Sequence, residues 1–568
     1  MSIVFGYEDY RKLVLDFASK TPQLLSECSA TSDLAREIDG MNIHQILDHK
    51  FTVAIIGQMR SGKSTLLNAL IQQELSPTGV NETTATINWF RYSKEEFLKI
   101  FRVHWSDGTT QDIATSEIQK WIGNSEHAKK TKAIDLFSAS PFLTSVNLVD
   151  TPGTRSVLTS HESVTQSFLY DAERLEKDTL VEGGRADAVI YVLNPVAKDN
   201  DTELLELFGD KTRLPGSSPY NSIAVIQKWE LNGLNGDDIH SINPIEWVEK
   251  KCKRIEAQLE GKVAQVIYAS GWLANIAIHY PVKMFTDLIQ IYKNLDLDML
   301  FLNDEFFQEE FLNPNVPLMK QREYLYKTLG FERLKMLIWM IHHYQFQDGD
   351  AFRKKVFDIS QIRHLKNILQ KRFLTNSALI KTNTILRKAW EPCTVGIFRL
   401  QNLEEQKSRT YQRGLLCLQD LKKESNNQSQ NIMLYVNESL DSIREDLLGI
   451  KKIRSALEVM KEQVFANFSI LEEDISSIDE LDQTVGNSLT EEEKQQLRIL
   501  FGTQGTDIWK RLGFPSPDVE ISKQEDKAFE LLDYWEPKIK RGTSYKNVAQ
   551  HASHLLNKIL NYLETTAQ

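Results

Sequence analysis

The sequence contains little cysteine and no long apolar segment. Its four cysteines, Cys28, Cys252, Cys393 and Cys417, are widely spaced and form no Cys-x-x-Cys pair. Neither a disulfide framework nor a zinc site is therefore predicted. Its longest purely apolar runs, such as residues 336–341, are far shorter than the roughly 20 residues that cross a bilayer. Any membrane contact is therefore expected to be peripheral.

The chain also has no excess of positive charge. It holds 67 Lys and Arg residues against 78 Asp and Glu residues, and its formal net charge is −11. This balance argues against sequence-independent nucleic-acid binding, and no nucleic-acid partner is predicted. Charged side chains interrupt residues 1–20, which lack the apolar core of a usual signal peptide. We expect a cytoplasmic or peripheral membrane location, and export by another route stays open.

A phosphate-binding loop follows a predicted buried strand. The segment from Gly57 to Ser64 reads Gly-Gln-Met-Arg-Ser-Gly-Lys-Ser, after the apolar run 51–56. Glycines let the backbone N–H groups turn towards a phosphate, because a Cβ atom would obstruct the approach. Lys63 is predicted to reach the β- and γ-phosphates, and Ser64 to ligate Mg²⁺. The nucleotide-binding residues predicted here are Gly57, Gln58, Met59, Arg60, Ser61, Gly62, Lys63, Ser64 and Thr65.

Two further segments are typical of a nucleotide switch. Asp150-Thr151-Pro152-Gly153 follows an apolar strand, so Asp150 is predicted to hold Mg²⁺ through water and Gly153 to donate its N–H to the γ-phosphate. Thr84, in the run 83–86, is predicted to ligate Mg²⁺ only when the γ-phosphate is present. Threonines that simply enter a strand remain the alternative for that run. The predicted metal site is Ser64, Thr84 and Asp150.

The residues that would select the base are less regular. No Asn-Lys-x-Asp motif follows the later strands, but Gln227-Lys228-Trp229-Glu230 stands at the corresponding place. Glu230 is able to accept hydrogen bonds from the guanine N1 and N2 groups, as an aspartate would. An ordinary solvated strand end is the alternative that stays open. Ser270, after the next predicted strand, is expected in a loop that contacts the base.

Strand and helix patterns alternate from residue 51 to about 270. They predict an α/β P-loop head with a mostly parallel sheet, helices on both faces and phosphate chemistry at the carboxyl ends of the strands. Residues 273–327 read as irregular, and 334–342 as the last helix of the head. The predicted strands are 51–57, 86–92, 100–105, 144–150, 187–194, 222–227 and 265–269, and the predicted helices are near 64–72, 160–181 and 244–259.

Beyond residue 352 the apolar period is helical. A long helix is predicted at 431–478, after an arm at 361–424 that is interrupted at Trp390-Glu391-Pro392. A polar run at 425–430 predicts a hairpin turn between them, and Thr490 is predicted near the start of a later helix. The predicted domains are N-terminal helices at 1–50, an α/β nucleotide-binding domain at 51–345, a helical stalk at 346–500 with a tip near 425–436, and returning helices at 501–568.

The phosphate loop, the run 83–86 and the Asp150-Thr151-Pro152-Gly153 motif together resemble the bacterial dynamin-like GTPases, in particular the LeoA type. The resemblance implies GTP as substrate with Mg²⁺, a helical neck and trunk, and a trunk end that contacts lipid. It also implies pairing of two heads, either as a homodimer or with a second dynamin-like protein. Its catalytic residues here are Lys63, Thr84 and Arg60, with Arg60 offsetting transition-state charge. Met59 stands where eukaryotic dynamins carry a water-orienting glutamine, which implies slow hydrolysis without lipid or a partner head.

Two functions are compatible with these patterns. The first is a GTP-driven machine that remodels membranes in a vesicle, fusion or fission process. Its lipid contact would use residues 361–424, where thirteen Lys and Arg residues face five acids, and residues 432–436 as an apolar wedge. A solvated helix face and a buried stalk core are the alternatives for these two features. The second function is a soluble GTP-binding switch that recruits a protein partner and turns over little GTP.

Overall fold

The chain divides into two compact units. The computed structural model describes residues 7–41, 43–58, 60–75, 87–94, 98–118, 121, 130–151, 186–195, 221–231, 243–259, 262–302, 304–374, 376–423, 427–483, 489–539 and 545–567. The first unit comprises Asp48–Lys211 and Pro219–Ile380, and the second comprises Met1–Leu47, Thr212–Ser218 and Lys381–Gln568. The helix predicted at 160–181 lies outside the described residues.

The first unit is built on a sheet to which the described residues contribute nine strands. Their order across the sheet is β4-β3-β5-β2-β6-β1-β7-β8-β9. The strands are β1 (Phe51–Gly57), β2 (Ile87–Tyr92), β3 (Ile100–Trp105), β4 (Thr110–Ala114), β5 (Thr131–Ser138), β6 (Val146–Asp150), β7 (Ala188–Leu193), β8 (Ser222–Ile226) and β9 (Val266–Tyr268).

Parallel pairing dominates the sheet and confirms the predicted fold class. β1 pairs in parallel with β6 and β7, and β8 pairs in parallel with β7 and β9. The residues of β1, β6, β7 and β8 are buried throughout, as expected for central strands covered on both faces. Antiparallel pairs occur on the side of β2, β3 and β4. All seven predicted strands are present, with bounds that differ by at most two residues.

Two strands, β4 and β5, were not predicted. β5 lies inside the sheet between β3 and β2, although it carries the charged residue Asp135. Arg91 on β2 and His104 on β3 contact this carboxylate at 2.9 and 3.0 Å. Burial alone would raise the pKa of Asp135, but its hydrogen bond to His104 and the charge of Arg91 outweigh burial and lower it. Because the partners that compensate Asp135 come from other strands, the sequence of β5 read alone does not reveal a buried strand.

The segment 273–327 is helical, so the prediction of irregular structure was wrong. Arg322 shows why the connecting loops are ordered, because its buried guanidinium donates to the carbonyls of Phe311, Asn313 and Pro317. The helices of this unit after the sheet begins are Lys63–Ile71, Pro244–Gln258, Gly271–His279, Val282–Tyr292, Leu297–Leu302, Asp304–Phe311, Met319–Leu329, Phe331–Tyr344, Gly349–Ile359 and Ile362–Ile368, followed by a π-helical turn at Leu369–Leu374.

The second unit is dominated by two long antiparallel helices, Ser377–Leu421 and Asn427–Gln483. At 1.5 Å per residue they are roughly 70 and 85 Å long. Lys407 on the first helix pairs with Asp446 on the second, and Arg454 on the second pairs with Glu404 at 3.1 Å. The N-terminal helices of the chain are Tyr7–Ser26, Ser32–Asp39 and Ile43–Asp48.

The predicted interruption at Trp390-Glu391-Pro392 does not occur, and the helix continues through Pro392. A proline inside a helix removes one backbone hydrogen bond and normally kinks or ends it. Here Trp390 packs with Phe17 and Phe465 at ring distances of 6.3 and 5.7 Å, and the Lys461 ammonium lies 4.6 Å from its ring centroid. Contacts from two other helices therefore hold this turn in helical geometry, which local propensity does not anticipate.

The prediction of a hairpin turn at 425–430 was wrong for its last four residues. Residues 427–430 are the first turn of the long helix, and residues 425 and 426 lie outside the described residues. The later helices are Glu491–Leu500, Ile508–Arg511, Ile521–Trp535 and Lys546–Ala567. Thr490 caps the first of them, where its side chain and Glu493 form a reciprocal capping box.

A buried ionic cluster joins these last helices to the long one. Asp474 receives a hydrogen bond from Arg511 at 2.6 Å and contacts His551 at 2.8 Å. All three side chains are buried. Burial by itself would lower the pKa of His551, but the carboxylates of Asp474 and Glu473 outweigh it and raise the pKa. The stabilising charge of His551 is therefore present below its unfolded pKa and is lost only as the pH rises through the higher folded value.

Replacing Arg511 with leucine is expected to lower the free energy of unfolding of the second unit by about 3 kcal/mol, because it removes one partner of a buried ion pair. Urea unfolding of the full chain, followed by circular dichroism, measures the change. Lys510→Leu is the matched control, since Lys510 pairs with Asp507 on the same helix but its side chain is 33% exposed. Its loss is expected to stay below about 1 kcal/mol. Equal losses in the two variants would contradict the importance of the buried pair.

Candidate functional site

The phosphate loop needs glycine at both of its ends. Gly57 has φ +149°, and a Cβ atom added there would lie 2.3 Å from the carbonyl oxygen of Val192. Gly62 has φ +97° and is the N-cap of the helix Lys63–Ile71. Side chains rarely adopt such φ values, so both positions favour glycine. The loop therefore turns directly from β1 into the N-terminus of a helix, which is a favourable place for an anion.

Lys63 is folded back onto the loop. Its side chain is buried, and Nζ donates to the carbonyl oxygens of Gly57 at 3.2 Å and Gln58 at 3.1 Å. Burial lowers the pKa of Lys63, and the nearby carboxylate of Asp150 opposes this shift. The ammonium group thus spans the loop in the position from which a bound phosphate would receive its charge.

Ser64 and Asp150 are in direct contact. Ser64 Oγ donates to Asp150 Oδ2 at 2.8 Å. The register of the parallel strands causes this meeting, because Ile55 of β1 lies opposite Asp150 at the end of β6. A hydroxyl and a carboxylate provide the oxygen ligands that Mg²⁺ prefers, so these two residues fit a magnesium site. The third predicted ligand, Thr84, lies outside the described residues, as do Met59 and Gly153.

The Gln227-Lys228-Trp229-Glu230 segment is packed against the phosphate loop. Lys228 Nζ donates to the carbonyl oxygen of Arg60 at 2.5 Å. Gln227 Oε1 accepts from the N–H of Gly271 at 3.1 Å, and the same side chain lies 3.6 Å from a Cβ atom placed on Gly62. Arg60 has φ +61°, outside the regions that most side chains favour. The alternative of a solvated strand end is therefore wrong for this segment.

Glu230 and Ser270 are brought together at the same edge of the sheet. Glu230 is only 2% exposed and Ser270 is fully buried. Burial raises the pKa of Glu230, while its hydrogen bond with Ser270 and the charges of Arg333 and Lys228 oppose the shift. Ser270 also caps the helix Gly271–His279, where its Oγ accepts from Leu273 N at 3.1 Å. The predicted base-contacting residues thus form one buried corner.

Residues 53–175 match the sequence profile of a known family, which is described as the Dynamin family. The "Dynamin-like protein 2" of Campylobacter jejuni is 36% identical over 131 residues, which are 23% of this chain and 20% of that protein. A "Bacterial dynamin-like protein" of Nostoc punctiforme is 37% identical over 82 residues, 14% of this chain and 11% of that protein. The chain therefore carries a Dynamin-family domain at residues 53–175 and is similar there to bacterial dynamin-like proteins. Assignment of this dynamin-like chain to the LeoA type stays a prediction.

A longer match covers more of the dynamin-like chain. The "Isoniazid-induced protein IniC" of Mycobacterium tuberculosis is 24% identical over 346 residues, 59% of this chain and 65% of that protein. A solved structure of an oligomerised bacterial dynamin pair is 16% identical and has a TM-score of 0.32. Its alignment covers 97% of this chain and 90% of that chain. The matched part of the chain spans 20% of the Campylobacter protein, 65% of IniC and 11% of the Nostoc protein.

Sequence reasoning missed two residues that shape the site of this dynamin-like head, Asn275 and Arg333, and it missed the close packing of Gly271. A Cβ atom on Gly271 would lie 2.8 Å from the Thr65 carbonyl group, so its helix packs closely on the helix that follows the phosphate loop. Asn275 Nδ2 donates to the same carbonyl oxygen at 3.2 Å. Arg333 places its guanidinium 5.1 Å from the ring centroid of Trp272. Only the Ser270-Gly271 pair, a helix-start pattern, signals this packing in the sequence.

Replacing Gly57 with alanine is expected to lower the thermal unfolding midpoint and to abolish nucleotide binding, because the new methyl group would collide with the backbone of β7. Thermal unfolding and titration with a fluorescent GDP analogue measure the two effects. Gly449→Ala is the matched control, since nothing lies within 4 Å of a Cβ atom placed there. That variant is expected to stabilise its helix by about 0.5–1 kcal/mol. Unchanged stability and affinity in the Gly57 variant would show that the close approach is not required.

Proposed function

We propose that this dynamin-like chain binds and hydrolyses GTP and couples pairing of two heads and movement of the neck to membrane binding or remodelling. One observation carries the nucleotide part of the proposal. Phosphate-loop Lys63, the Ser64–Asp150 pair and the base-loop residues Lys228 and Glu230 lie at the carboxyl ends of neighbouring parallel strands. In open α/β sheets this edge is where ligands bind.

Each polar group has a distinct proposed task. Lys63 would leave the carbonyls of Gly57 and Gln58 and donate to the β- and γ-phosphates, whose oxygens replace those acceptors. Ser64 and Asp150 would hold Mg²⁺, which when bound neutralises charge on the phosphate oxygens. Lys228 ties the base loop to the phosphate loop through the Arg60 carbonyl. Glu230 would accept hydrogen bonds from guanine, which keeps phosphates and base in one register.

Hydrolysis itself is proposed to depend on residues beyond this binding frame. Thr84 would close over the γ-phosphate, Gly153 would donate its N–H to that group, and Arg60 would offset charge that develops in the transition state. Because Met59 cannot orient an attacking water molecule, we expect turnover to be slow until lipid or a second head is present. The second head belongs either to another copy of this chain or to a second dynamin-like protein.

Membrane contact is proposed at the ends of the two long helices. Ile432, Leu434 and Tyr435 are 44, 64 and 72% exposed, and Leu415 and Leu416 on the antiparallel helix are exposed as well. The wedge predicted at 432–436 is therefore not stalk core in the described structure. Single exposed apolar residues are ordinary, but a group of five near one helix end is typical of an interaction surface.

The basic arm contributes less uniformly than its composition suggests. Arg372 and Lys381 are buried, and Arg399 pairs with Asp33 at 2.8 Å. Four exposed cations lie nearer the apolar group, at Arg409, Arg413, Lys422 and Lys423. Arg409 and Lys423 form exposed pairs with Glu405 and Asp420, which contribute little and leave their charges available to a lipid surface. We propose that these four recruit the helix ends to an anionic lipid surface. In the described part of the chain, no helix is both long and apolar enough to cross a membrane.

The proposed domain assignment keeps neck helices at 1–50 and returning helices at 501–568. The boundary between GTPase domain and stalk, predicted at 345/346, is moved to about 380, because residues up to Ile380 belong to the first unit. Packing of Tyr10 on the long helices supports the neck assignment, because its hydroxyl donates to Asn383 at 2.7 Å. The backbone N–H of Tyr7 donates to Thr506 at 2.8 Å, which links the first helix to the returning segment.

Lys63→Ala is expected to lower GDP and GTP affinity by about 100-fold or more, because it removes a charged donor from the phosphates. Isothermal titration with GDP, GTP and ATP measures affinity and base preference together. Lys250→Ala is the control, since its side chain is 74% exposed on a helix of the same unit. Wild-type affinity in the Lys63 variant would refute the phosphate site, and tighter binding of ATP than GTP would refute guanine selection.

The double charge reversal Arg409→Glu with Lys423→Glu is expected to reduce binding to anionic vesicles at least about tenfold, since each cation near such a surface contributes about 1 kcal/mol. Sedimentation with phosphatidylserine vesicles measures binding, and GTP turnover is measured with and without them. Lys250→Glu with Lys354→Glu is matched in charge and exposure, because these side chains are 74 and 72% exposed against 74 and 75% for the test pair. If wild-type protein ignores vesicles, the soluble switch that recruits a protein partner replaces this proposal.

A further inference from the structure

The carboxyl group of Glu230 occupies an unusual environment for a residue expected to read a base. It is 2% exposed, and among the described residues its Oε2 atom has no hydrogen-bond partner although it is fully buried. The hydrogen bonds from Ser270 and from the backbone N–H of Glu230 leave that atom without a donor. An unpartnered buried acceptor is costly unless a ligand supplies a donor. The corner is therefore built to be completed by a hydrogen-bond donor from outside the protein.

A buried carboxyl group has two protonation states, and they select different ligands. As a carboxylate it accepts two hydrogen bonds, which matches the adjacent N1–H and N2–H donors of guanine. As a protonated acid it presents a donor of its own and loses that match. Burial favours the protonated state, so guanine recognition at this corner needs a positive charge nearby.

Two cations lie on elements packed around Glu230, because the helix Phe331–Tyr344 contacts the turn Trp229–Leu231 and Lys228 directly precedes that turn. Lys228 lies on the same segment, and its ammonium donates to the Arg60 carbonyl. Arg333 lies on the helix Phe331–Tyr344 and acts electrostatically on both Lys228 and Glu230. From the third packed element Ser270 contributes an uncharged hydroxyl, which hydrogen-bonds to the carboxylate.

Arg333 is held in place by Trp272, on the helix Gly271–His279 that follows Ser270. Its guanidinium stacks over Trp272, 5.1 Å from the ring centroid, and the side chain is half-buried. Trp272 directly follows Gly271, whose N–H donates to Gln227. A cation stacked on an aromatic ring has less freedom than a solvated one, and its charge is screened less when partly buried. The charge is thus fixed beside the segment that carries Glu230.

Resting on the proposed GTP binding, we propose that Arg333 is a positioning residue for guanine selection, whose cation favours the carboxylate form of Glu230 that accepts hydrogen bonds from guanine. Arg333 lies outside every nucleotide-binding motif of the sequence. It acts through Glu230 and makes no contact with the phosphates. Its removal therefore changes how guanine affinity depends on pH, which a loss of packing alone does not do.

The test is fluorescence titration of the full chain with a methylanthraniloyl derivative of GDP between pH 5.5 and 8.5. Arg333→Gln is expected to bind more weakly than wild type towards pH 5.5, by at most about tenfold for each unit by which the pKa of the Glu230 carboxyl rises, and to approach wild type towards pH 8.5. Arg333→Lys keeps the charge and is expected to follow the wild-type profile. Lys251→Gln is the matched control, since it removes an equal charge stacked on a tryptophan, 5.6 Å from the ring of Trp247.

Glu230→Gln provides the reference, because its remaining pH dependence reports ionisation of the nucleotide alone. Adding Arg333→Gln to it is expected to leave that profile unchanged. If wild type shows no preference for GDP over ADP, the proposed guanine recognition fails. If wild type prefers GDP but Arg333→Gln keeps the wild-type profile, only the role of Arg333 fails. If Arg333→Lys, folded by circular dichroism, loses affinity as Arg333→Gln does, the stacked guanidinium rather than its charge is responsible, and the proposal is overturned.

Discussion

Parallel pairing of β1 with β6 on one side and β7 on the other is the constraint on which the site depends. The pairing places the ends of the three strands at one edge, so Gly57, Asp150 and the Val192 carbonyl lie near one another. Every residue of these strands is buried, so a shift in register would move an apolar set and a functional residue together. The phosphate loop inherits its position from this rigid frame.

The base loop is attached to that frame by polar contacts rather than by apolar packing. Lys228 donates to the Arg60 carbonyl and Gln227 accepts from Gly271 N–H, so side chains satisfy backbone groups on two other segments. The Gln227 contact is buried and the Lys228 contact is exposed. A buried contact is sensitive to geometry, because an unsatisfied buried group is costly. These contacts explain why the Gln-Lys-Trp-Glu segment lies against the phosphate loop, although its Gln and Glu side chains are each one methylene longer than the Asn and Asp of Asn-Lys-x-Asp. The acidic residue at its end depends on neighbouring charges.

The two long helices are held together by contacts of a different kind. The antiparallel pair is held by ion pairs such as Glu404 with Arg454, and by close contacts such as Gly414 against Leu440. Near its other end the pair gains aromatic packing around Trp390 and the buried cluster of Arg511, Asp474 and His551. The aromatic packing and the buried ionic cluster are therefore far along the helices from residues 432–435, where apolar side chains stay exposed. A helix pair that is packed against other helices at one end leaves the apolar side chains of its other end free to contact a surface.

The sequence by itself determined the phosphate loop, the Asp150 motif, seven of the strands and the long helical period, because each is encoded in consecutive residues. Only the tertiary structure decided that β5 enters the sheet, since Asp135 needs Arg91 and His104 from other strands. It likewise decided that the helix continues through Pro392, and that the helix carrying Arg333 packs against the turn carrying Glu230. These outcomes depend on charges and contacts between residues distant in the chain, which no local pattern of spacing or propensity records.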